Sequence, residues 1–304
     1  MTTFTTELPA TRPLDPSKRV RYTAGLVLGV DEFTQEQTYH MARDRLLTRL
    51  LHGYGTVSGL MVTVRSSGQG PEVVVSGGVA VDPRGQIVCV RSAQCARLNA
   101  WLQANADDVR RLGVASPDVV SVYVVLKYRE CEADWVPVPG GPCRMQEDSR
   151  MPSRLVDGFE LTLTLRRPEQ AEEDAIRRLG QLLASIEIDD NGGTYSTNED
   201  VAAAVRGVQV AVASPPTATL RFAKATAPER MRMLYRVWAT EGRPSTVPAG
   251  EGGCDSPREE WLQLARLDFA LTATQQVAGT VALDESERPV LVPSRVLQEG
   301  GGHG

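Results

Sequence analysis

The clearest periodic pattern in the chain covers residues 34–52. Apolar side chains recur there every three or four residues, which places them on one face of a helix. The members of this stripe are Tyr39, Ala42, Leu46, Leu50 and Leu51. Thr34 occupies the position of an N-cap, Gln37 completes a capping-box pattern, and Gly53 suits the C-cap. The pattern therefore predicts a capped helix over residues 34–52.

Short apolar runs separated by glycine follow this helix. Residues 57–64, 73–75, 79–81 and 87–90 are rich in valine and predict strands. The sequence Asp82-Pro83-Arg84-Gly85 is typical of a reverse turn, with Asp first, Pro second and Gly fourth. A helix and small antiparallel sheets can bury their apolar faces against each other. We therefore predict an α+β fold with an N-terminal helix packed on small antiparallel β-sheets.

The remainder of the chain predicts a second, mixed α/β domain. Pro168 can open one helix, Thr197 or Asn198 can cap another that runs to about Val212, and residues 228–240 form a third. Further strands are predicted at the following ranges: 119–126, 159–165, 217–222, 261–271, 277–283 and 290–292. The predicted organisation is an extended arm over 1–17, a β-rich domain over 18–166, a mixed helix/strand domain over 167–298 and a flexible tail over 299–304.

A set of spaced positions in the first quarter of the chain resembles a known family. The spacing is G-x-x-L-x-x-D-x-x-x-x-E-Q-x-Y, then R-x-x-L-L-x-R-x-L-H-G-x-G-x-V-x-G-L-x-V, then G-x-A-x-D-x-x-G-x-x-I. The residues are Gly25, Leu28, Asp31, Glu36, Gln37, Tyr39, Arg43, Leu46, Leu47, Arg49, Leu51, His52, Gly53, Gly55, Val57, Gly59, Leu60, Val62, Gly78, Ala80, Asp82, Gly85 and Ile87. This pattern is similar to proteins of phage-tail-like contractile injection systems. The chain departs from it at Val27 and Val30 and in a helical insert over 98–112.

The resemblance implies a structural component of the baseplate or tail. Its expected partners are other baseplate and tail proteins, together with further copies of this chain. A net charge of −5 and a pI of about 5.4 disfavour general binding to nucleic acid or to an anionic membrane surface. No apolar run is long enough for direct membrane insertion. The expected location is the cytoplasm, within a particle that is later released from the cell.

The cysteines are the strongest candidates in the sequence for a metal-binding site. Cys131 and Cys143 flank one Pro/Gly-rich loop and Cys254 lies in another, so three thiolates could hold a structural zinc ion. Candidates for the fourth ligand are Glu132, Asp134, Asp255 or a water. The alternatives are unpaired loop cysteines, or a disulfide formed in an oxidising medium. Cys89 and Cys95 are expected to be small buried apolar residues.

Basic side chains on the predicted helix are candidates for contacts with other subunits. Arg43, Arg45 and Arg49 could pair with acidic partners, although a solvated helix face is the default expectation. His52 is expected to interact with the carbonyl groups at the end of the helix. No cofactor is required by this interpretation.

No sequence pattern typical of catalysis is present. The motifs G-x-S-x-G, H-E-x-x-H, G-x-G-x-x-G and the P-loop are all absent. We therefore predict a non-enzymatic protein that acts by docking to other subunits at the baseplate or fibre-attachment region. Two alternatives stay open, namely a stand-alone module that binds a glycan or receptor, and a zinc-dependent hydrolase built on the cysteine site.

Overall fold

The computed structural model describes residues 14–111, 119–137, 150–208, 219–244, 260–293 and 296 of the 304-residue chain. The chain divides into two compact units, Met1–Pro168 with Pro248–Gly304 and the intervening Glu169–Val247. Strands dominate the first unit, and helices flank a small parallel sheet in the second. The predicted α+β class, with its second mixed α/β domain, is confirmed.

The described helices and strands are numbered in chain order. The α-helices are α1 (Val30–His52), α2 (Leu98–Ala104), α3 (Ala106–Arg111), α4 (Ala171–Ala184), α5 (Asn198–Gly207) and α6 (Ala227–Val237). The strands are β1 (Gly55–Gly59), β2 (Val62–Ser67), β3 (Gly70–Val75), β4 (Gly78–Val81), β5 (Ile87–Val90), β6 (Gln94–Arg97), β7 (Val119–Pro137), β8 (Arg150–Thr164), β9 (Glu187–Asp189), β10 (Arg221–Ala223), β11 (Leu262–Leu271) and β12 (Val277–Asp284).

Three antiparallel sheets build the first unit. Their strand orders are β1-β4-β5, β2-β3-β6 and β12-β11-β7-β8. Side chains from all three sheets and from α2 and α3 share one buried core, which includes Leu60, Leu98, Leu126 and Leu264. Because β11 pairs with β7, the last two strands belong to the first unit. These strands were predicted to belong to the range 167–298, because local pattern does not reveal a pairing partner so distant in the chain.

Helix α1 begins four residues before its predicted start. Gly29 is the N-cap, and the carboxylate of Glu32 accepts a hydrogen bond from the Gly29 N–H at 2.8 Å. Thr34 lies inside the helix, where its Oγ1 donates to the Val30 carbonyl at 2.7 Å. The prediction of Thr34 as N-cap was therefore wrong, because Glu32 can satisfy a free N–H one turn earlier. The predicted C-cap is confirmed, since Gly53 N–H donates to Arg49 O at 2.9 Å.

The turn after β4 forms as predicted and supports α1. Gly85 has a φ of 85°, a conformation that L side chains rarely adopt, and a Cβ there would lie under 3.0 Å from the Arg45 carbonyl oxygen. The backbone of α1 therefore rests directly on this turn. The buried Asp82 carboxylate accepts hydrogen bonds from Arg84 N at 3.0 Å and Gln86 N at 2.9 Å. Burial raises the pKa of the Asp82 carboxyl above its ordinary value.

Strands β7 and β8 extend past the sheet to which they belong. Strand β11 pairs with β7 only as far as Leu126, whereas the pairing of β7 with β8 continues to Pro137 and Arg150. Residues 127–137 and 150–160 therefore form a ribbon of two strands, which we call the ribbon. Most of its outer half is exposed, including Trp135 and Leu155. An isolated two-stranded ribbon has little stability of its own, so contacts with other surfaces are needed to hold it.

The second unit, Glu169–Val247, has its own core. Helices α4, α5 and α6 supply most of it, and β9 and β10 pair in parallel beside them. Thr197 is the N-cap of α5 and forms the capping box with Asp200. Helix α4 begins at Ala171 with Gln170 as its N-cap, so the prediction that Pro168 opens this helix was wrong. Buried Glu172 pairs with Arg243, whose Nε donates to Oε1 at 2.7 Å.

Candidate docking surface

Helix α1 presents an exposed face along its whole length. None of its 23 residues is buried. Seven of them are exposed at alternating spacings of three and four residues, and we call this set the α1 seam. Its members are Val30, Phe33, Gln37, His40, Asp44, Leu47 and Leu51. The apolar members are strongly exposed, with Val30 at 80% and Leu51 at 70% of their full accessible area.

The opposite face of α1 lies against the first unit. Tyr39, Ala42 and Leu46 of the predicted stripe are half-buried there, as are Arg45 and Arg49. Leu50 and Leu51 are exposed, so the prediction that they are buried was wrong. The prediction assumed that α1 packs against the rest of the chain through its most apolar face. Contact with the turn at Gly85 orients the helix differently and leaves a second apolar face in solvent.

A groove of about 820 Å³ lies between α1 and the ribbon. Its apolar floor comes from Met41, Pro152 and Leu155. The charged groups that line it are Glu36, His40, Asp44, Glu130, Arg154 and Asp157, together with the phenol of Tyr128. With His40 neutral, this lining carries a formal charge of −3. The groove therefore combines apolar area with an excess of carboxylates.

Local hydrogen bonds fix several of these groups. Tyr128 Oη donates to Asp157 at 2.6 Å, and burial together with this hydrogen bond raises the pKa of the Tyr128 phenol. The backbone N–H of Tyr128 also donates to Asp82 Oδ2 at 3.4 Å. The ribbon is thus tied to the turn that supports α1, so the two walls of the groove share an anchor.

Each wall of the groove also carries ion pairs within the chain. Arg45 Nη2 lies 3.7 Å from Glu130, which links α1 to the ribbon. Arg154 Nη1 lies 3.0 Å from Asp134, on the same ribbon. The phenol of Tyr22 contacts Glu36, whose other oxygen is 3.9 Å from His40 Nε2. Asp44 faces the groove and is exposed. Contacts within the chain therefore hold the carboxylates of Glu36, Glu130 and Asp157.

The predicted interaction residues fall on different faces of α1. Arg43 and His52 are exposed, and Arg45 and Arg49 are half-buried on the face toward the first unit. Arg45 forms an ion pair with Glu130 of the same chain. A role for these four residues in binding other subunits stays a prediction. Neither Asp44, Met41 nor Leu47 was predicted to contact other subunits. The 3.5-residue spacing of the seam could have identified Asp44 and Leu47 for this role.

The cysteine site stays a prediction as well. Cys131 is a free, exposed thiol on the ribbon, opposite Val156. Cys143, Cys254 and Asp255 lie outside the described residues. Asp134, a candidate ligand, pairs with Arg154. In the described parts of the chain, no cluster of three or more His, Cys, Asp or Glu side chains is arranged to hold a metal ion. Cys89 and Cys95 are exposed, so the prediction that they are buried was wrong.

The arm and the tail are only partly described. Residues 1–13 of the predicted arm and the whole predicted tail over 299–304 lie outside the described residues. The described end of the arm is tied to α1, because Asp15 N donates to Gln35 Oε1 at 3.0 Å. Within the described residues, no helix is both long enough and apolar enough to span a membrane.

Comparisons with known proteins give distant structural likenesses. No protein-family model matches the sequence, and no curated protein matches it. A structure described as the baseplate complex from the type VI secretion system is similar at a TM-score of 0.28 and 12% identity, covering 77% of this chain and 93% of that one. A second, the type VI secretion system TssK-TssF-TssG baseplate subcomplex, is similar at 0.26 and 12%, covering 80% and 95%. Scores this low do not establish a shared fold.

Proposed function

We propose that this protein is a structural component of a contractile injection system and acts by docking to other subunits at the baseplate or fibre-attachment region. The proposal has two supports. One is the spaced sequence pattern over residues 25–87, which resembles proteins of such particles. The other is the exposed apolar surface of α1 and the ribbon, and this surface carries the proposal.

The exposure of apolar side chains on that surface favours docking. Val30, Phe33, Leu47 and Leu51 on α1 are all more than half exposed, and Leu155 on the ribbon is 64% exposed. Isolated apolar side chains on a surface are ordinary, but this 23-residue helix exposes apolar groups at both ends, Val30 with Phe33 and Leu47 with Leu51, and such patches mark surfaces that other molecules cover. Covering such side chains removes apolar area from water at roughly 25 cal/mol per Å², from which the cost of association is subtracted.

The residues of the sequence pattern build the platform for this surface. Gly59 has a φ of 64°, and a Cβ there would lie under 3.0 Å from the Gly77 carbonyl oxygen. Gly85 and Asp82 form the turn beneath α1. These positions hold backbone segments in close contact, which a rigid support for a docking helix requires. In this proposal the protein is not an enzyme and needs no cofactor.

Composition of the purified particle tests this function. We expect the chain to be found in stoichiometric amount by mass spectrometry of particles from the native producer. Deletion of its coding sequence should give particles that are incomplete or do not contract in electron micrographs. A matched strain that carries the coding sequence on a plasmid should restore complete particles.

Two results would contradict the proposal. One is a purified, active particle without this chain. The other is specific glycan binding or hydrolysis by the isolated chain, which would favour one of the two alternatives. The exposed apolar surface would then belong to a stand-alone receptor-binding module or to an enzyme.

A further inference from the structure

The spacing of the α1 seam indicates the shape of what covers it. Its members alternate at steps of three and four residues, the spacing of a and d positions in a coiled coil, with apolar members at the two ends and Gln37, His40 and Asp44 in the middle. Val30, Gln37, Asp44 and Leu51 take one set of positions, and Phe33, His40 and Leu47 take the other. A helix laid alongside α1 would meet this row over its full length, whereas an extended strand would not match its period.

The charge of the groove indicates the chemistry of the partner. Glu36 and Asp44 lie on its α1 wall, and Glu130 and Asp157 lie on its ribbon wall. Among the described residues, the lining has one guanidinium, Arg154, which already pairs with Asp134. A partner with lysine or arginine beside its apolar row would place positive charge between these two walls. Complementary charges of this kind speed association and fix the register of the bound helix.

The same charges disfavour a second copy of this chain at this surface. Two copies that met symmetrically through the seam would bring two grooves of formal charge −3 together. In a parallel pairing, Asp44 of one copy would also face Asp44 of the other. Like charges placed opposite each other in an interface are costly, so self-pairing here is opposed.

We propose that the α1 seam and the adjacent groove bind a cationic amphipathic helix of a different subunit of the particle. This inference rests on the proposed function for the identity of that subunit. The apolar side chains of the partner cover Phe33, Met41, Leu47 and Leu51. Its basic side chains pair with Glu36 and Asp44 on one wall and with Asp157 on the other.

A synthetic peptide tests the inference with the full chain in solution. The probe is a fluorescein-labelled peptide of about three heptads, with Leu at a and d and Lys at e and g. A matched peptide carries Glu in place of Lys. Fluorescence anisotropy should show the Lys peptide binding at least about tenfold more tightly than the Glu peptide. The preference should weaken as salt rises, because exposed charges are screened.

Paired variants locate the binding. The double variant Glu36→Gln/Asp44→Asn removes two carboxylates from the groove. It should lower the affinity for the Lys peptide by about tenfold. The control Glu169→Gln/Glu229→Gln removes the same formal charge from exposed positions of the second unit, and should change affinity by less than about twofold. Circular dichroism checks that both variants are folded.

Three results would overturn the inference. The first is equal binding of the Lys and Glu peptides, and the second is equal weakening by the groove variant and its control. The third is a self-associated chain, seen by sedimentation, that Leu47→Lys dissociates. If the peptide test fails but the chain is found in purified particles, only this inference is contradicted. Absence from the particles, with the peptide preference intact, removes the proposed function alone.

Discussion

Helices α1 and α4 both carry apolar side chains at helical spacing, but the described residues bury such side chains fully only in α4. Helix α4 buries Ala175, Leu179 and Leu182 within its 14 residues, whereas α1 buries none of its 23. Each lies in a different unit, and each has apolar side chains at helical spacing. Periodicity therefore predicts that a helix has a face to cover, and it does not say whether the same chain covers it. This difference is the reason for proposing that another subunit covers α1.

Truncation of one leucine in each helix gives the largest expected contrast. Leu182 of α4 is fully buried, so Leu182→Ala should lower the free energy of unfolding of its unit by about 2–5 kcal/mol. Leu47 of α1 is 56% exposed, and Leu47→Ala should change it by about 0.5 kcal/mol or less. Urea denaturation of both variants measures the difference. A loss for Leu47→Ala as large as that for Leu182→Ala would show that the chain itself covers the seam.

The platform beneath α1 can be tested with two glycines that have the same φ. Gly85 and Gly25 both have a φ of 85°, but an added Cβ meets the Arg45 carbonyl only at Gly85 and open space at Gly25. Gly85→Ala should lower the free energy of unfolding by about 2–4 kcal/mol, because backbone strain and the steric clash with the Arg45 carbonyl add together. Gly25→Ala should cost about 1 kcal/mol from backbone strain alone. Equal losses in thermal denaturation would mean that α1 does not rest on the turn.

The Asp82 carboxyl should give the first unit a component of pH dependence. Because burial raises its pKa in the folded state, the folded chain keeps this proton to higher pH than the unfolded chain does. The contribution of Asp82 to stability should therefore fall as the pH rises from 3.8, its ordinary value, through the raised pKa. Denaturation across this window should show this component in the natural chain and not in Asp82→Asn.

The variant Asp82→Asn keeps an acceptor for Arg84 N and Gln86 N and removes the one for Tyr128 N. It should lower the free energy of unfolding by about 1 kcal/mol near neutral pH, because the half-buried N–H of Tyr128 loses its acceptor. Identical pH profiles for the natural chain and Asp82→Asn would contradict the account of this turn.

Helix caps give the smallest expected effects. Thr197→Ala removes the N-cap of α5 and should cost about 1 kcal/mol. Thr34→Ala removes a hydroxyl that donates to the carbonyl one turn earlier inside α1, and should change stability by about 0.5 kcal/mol or less. Thermal denaturation compares them. A larger loss for Thr34→Ala would place the start of α1 at Thr34.

Local patterns in the sequence predicted much of this fold. The turn at Asp82–Gly85, the cap at Gly53 and the cap at Thr197 follow from neighbouring residues, and all three form. The start of α1 was missed because Gly29 is the N-cap and the Glu32 carboxylate accepts a hydrogen bond from its N–H. The orientation of α1 was missed because it depends on contact with the turn at Gly85, far along the chain.

The groove could not be predicted from the sequence. Its two walls, α1 and the ribbon, are separated by the strands between them, and neither local spacing nor composition places Asp44 near Asp157. The ribbon itself depends on where β11 stops pairing with β7. Exposure of the seam likewise depends on how the rest of the first unit packs. Only the 3.5-residue spacing of the seam was available beforehand.

Photocrosslinking from the seam inside the assembled particle tests the central claim most directly. A benzophenone amino acid replaces Leu47 on the seam or, as a control, the exposed Tyr235 of α6. The account predicts that position 47 crosslinks to another subunit of the particle and that this subunit contributes a helix rich in lysine or arginine. Illuminated particles in which position 47 reacts only with solvent or with its own chain would contradict it.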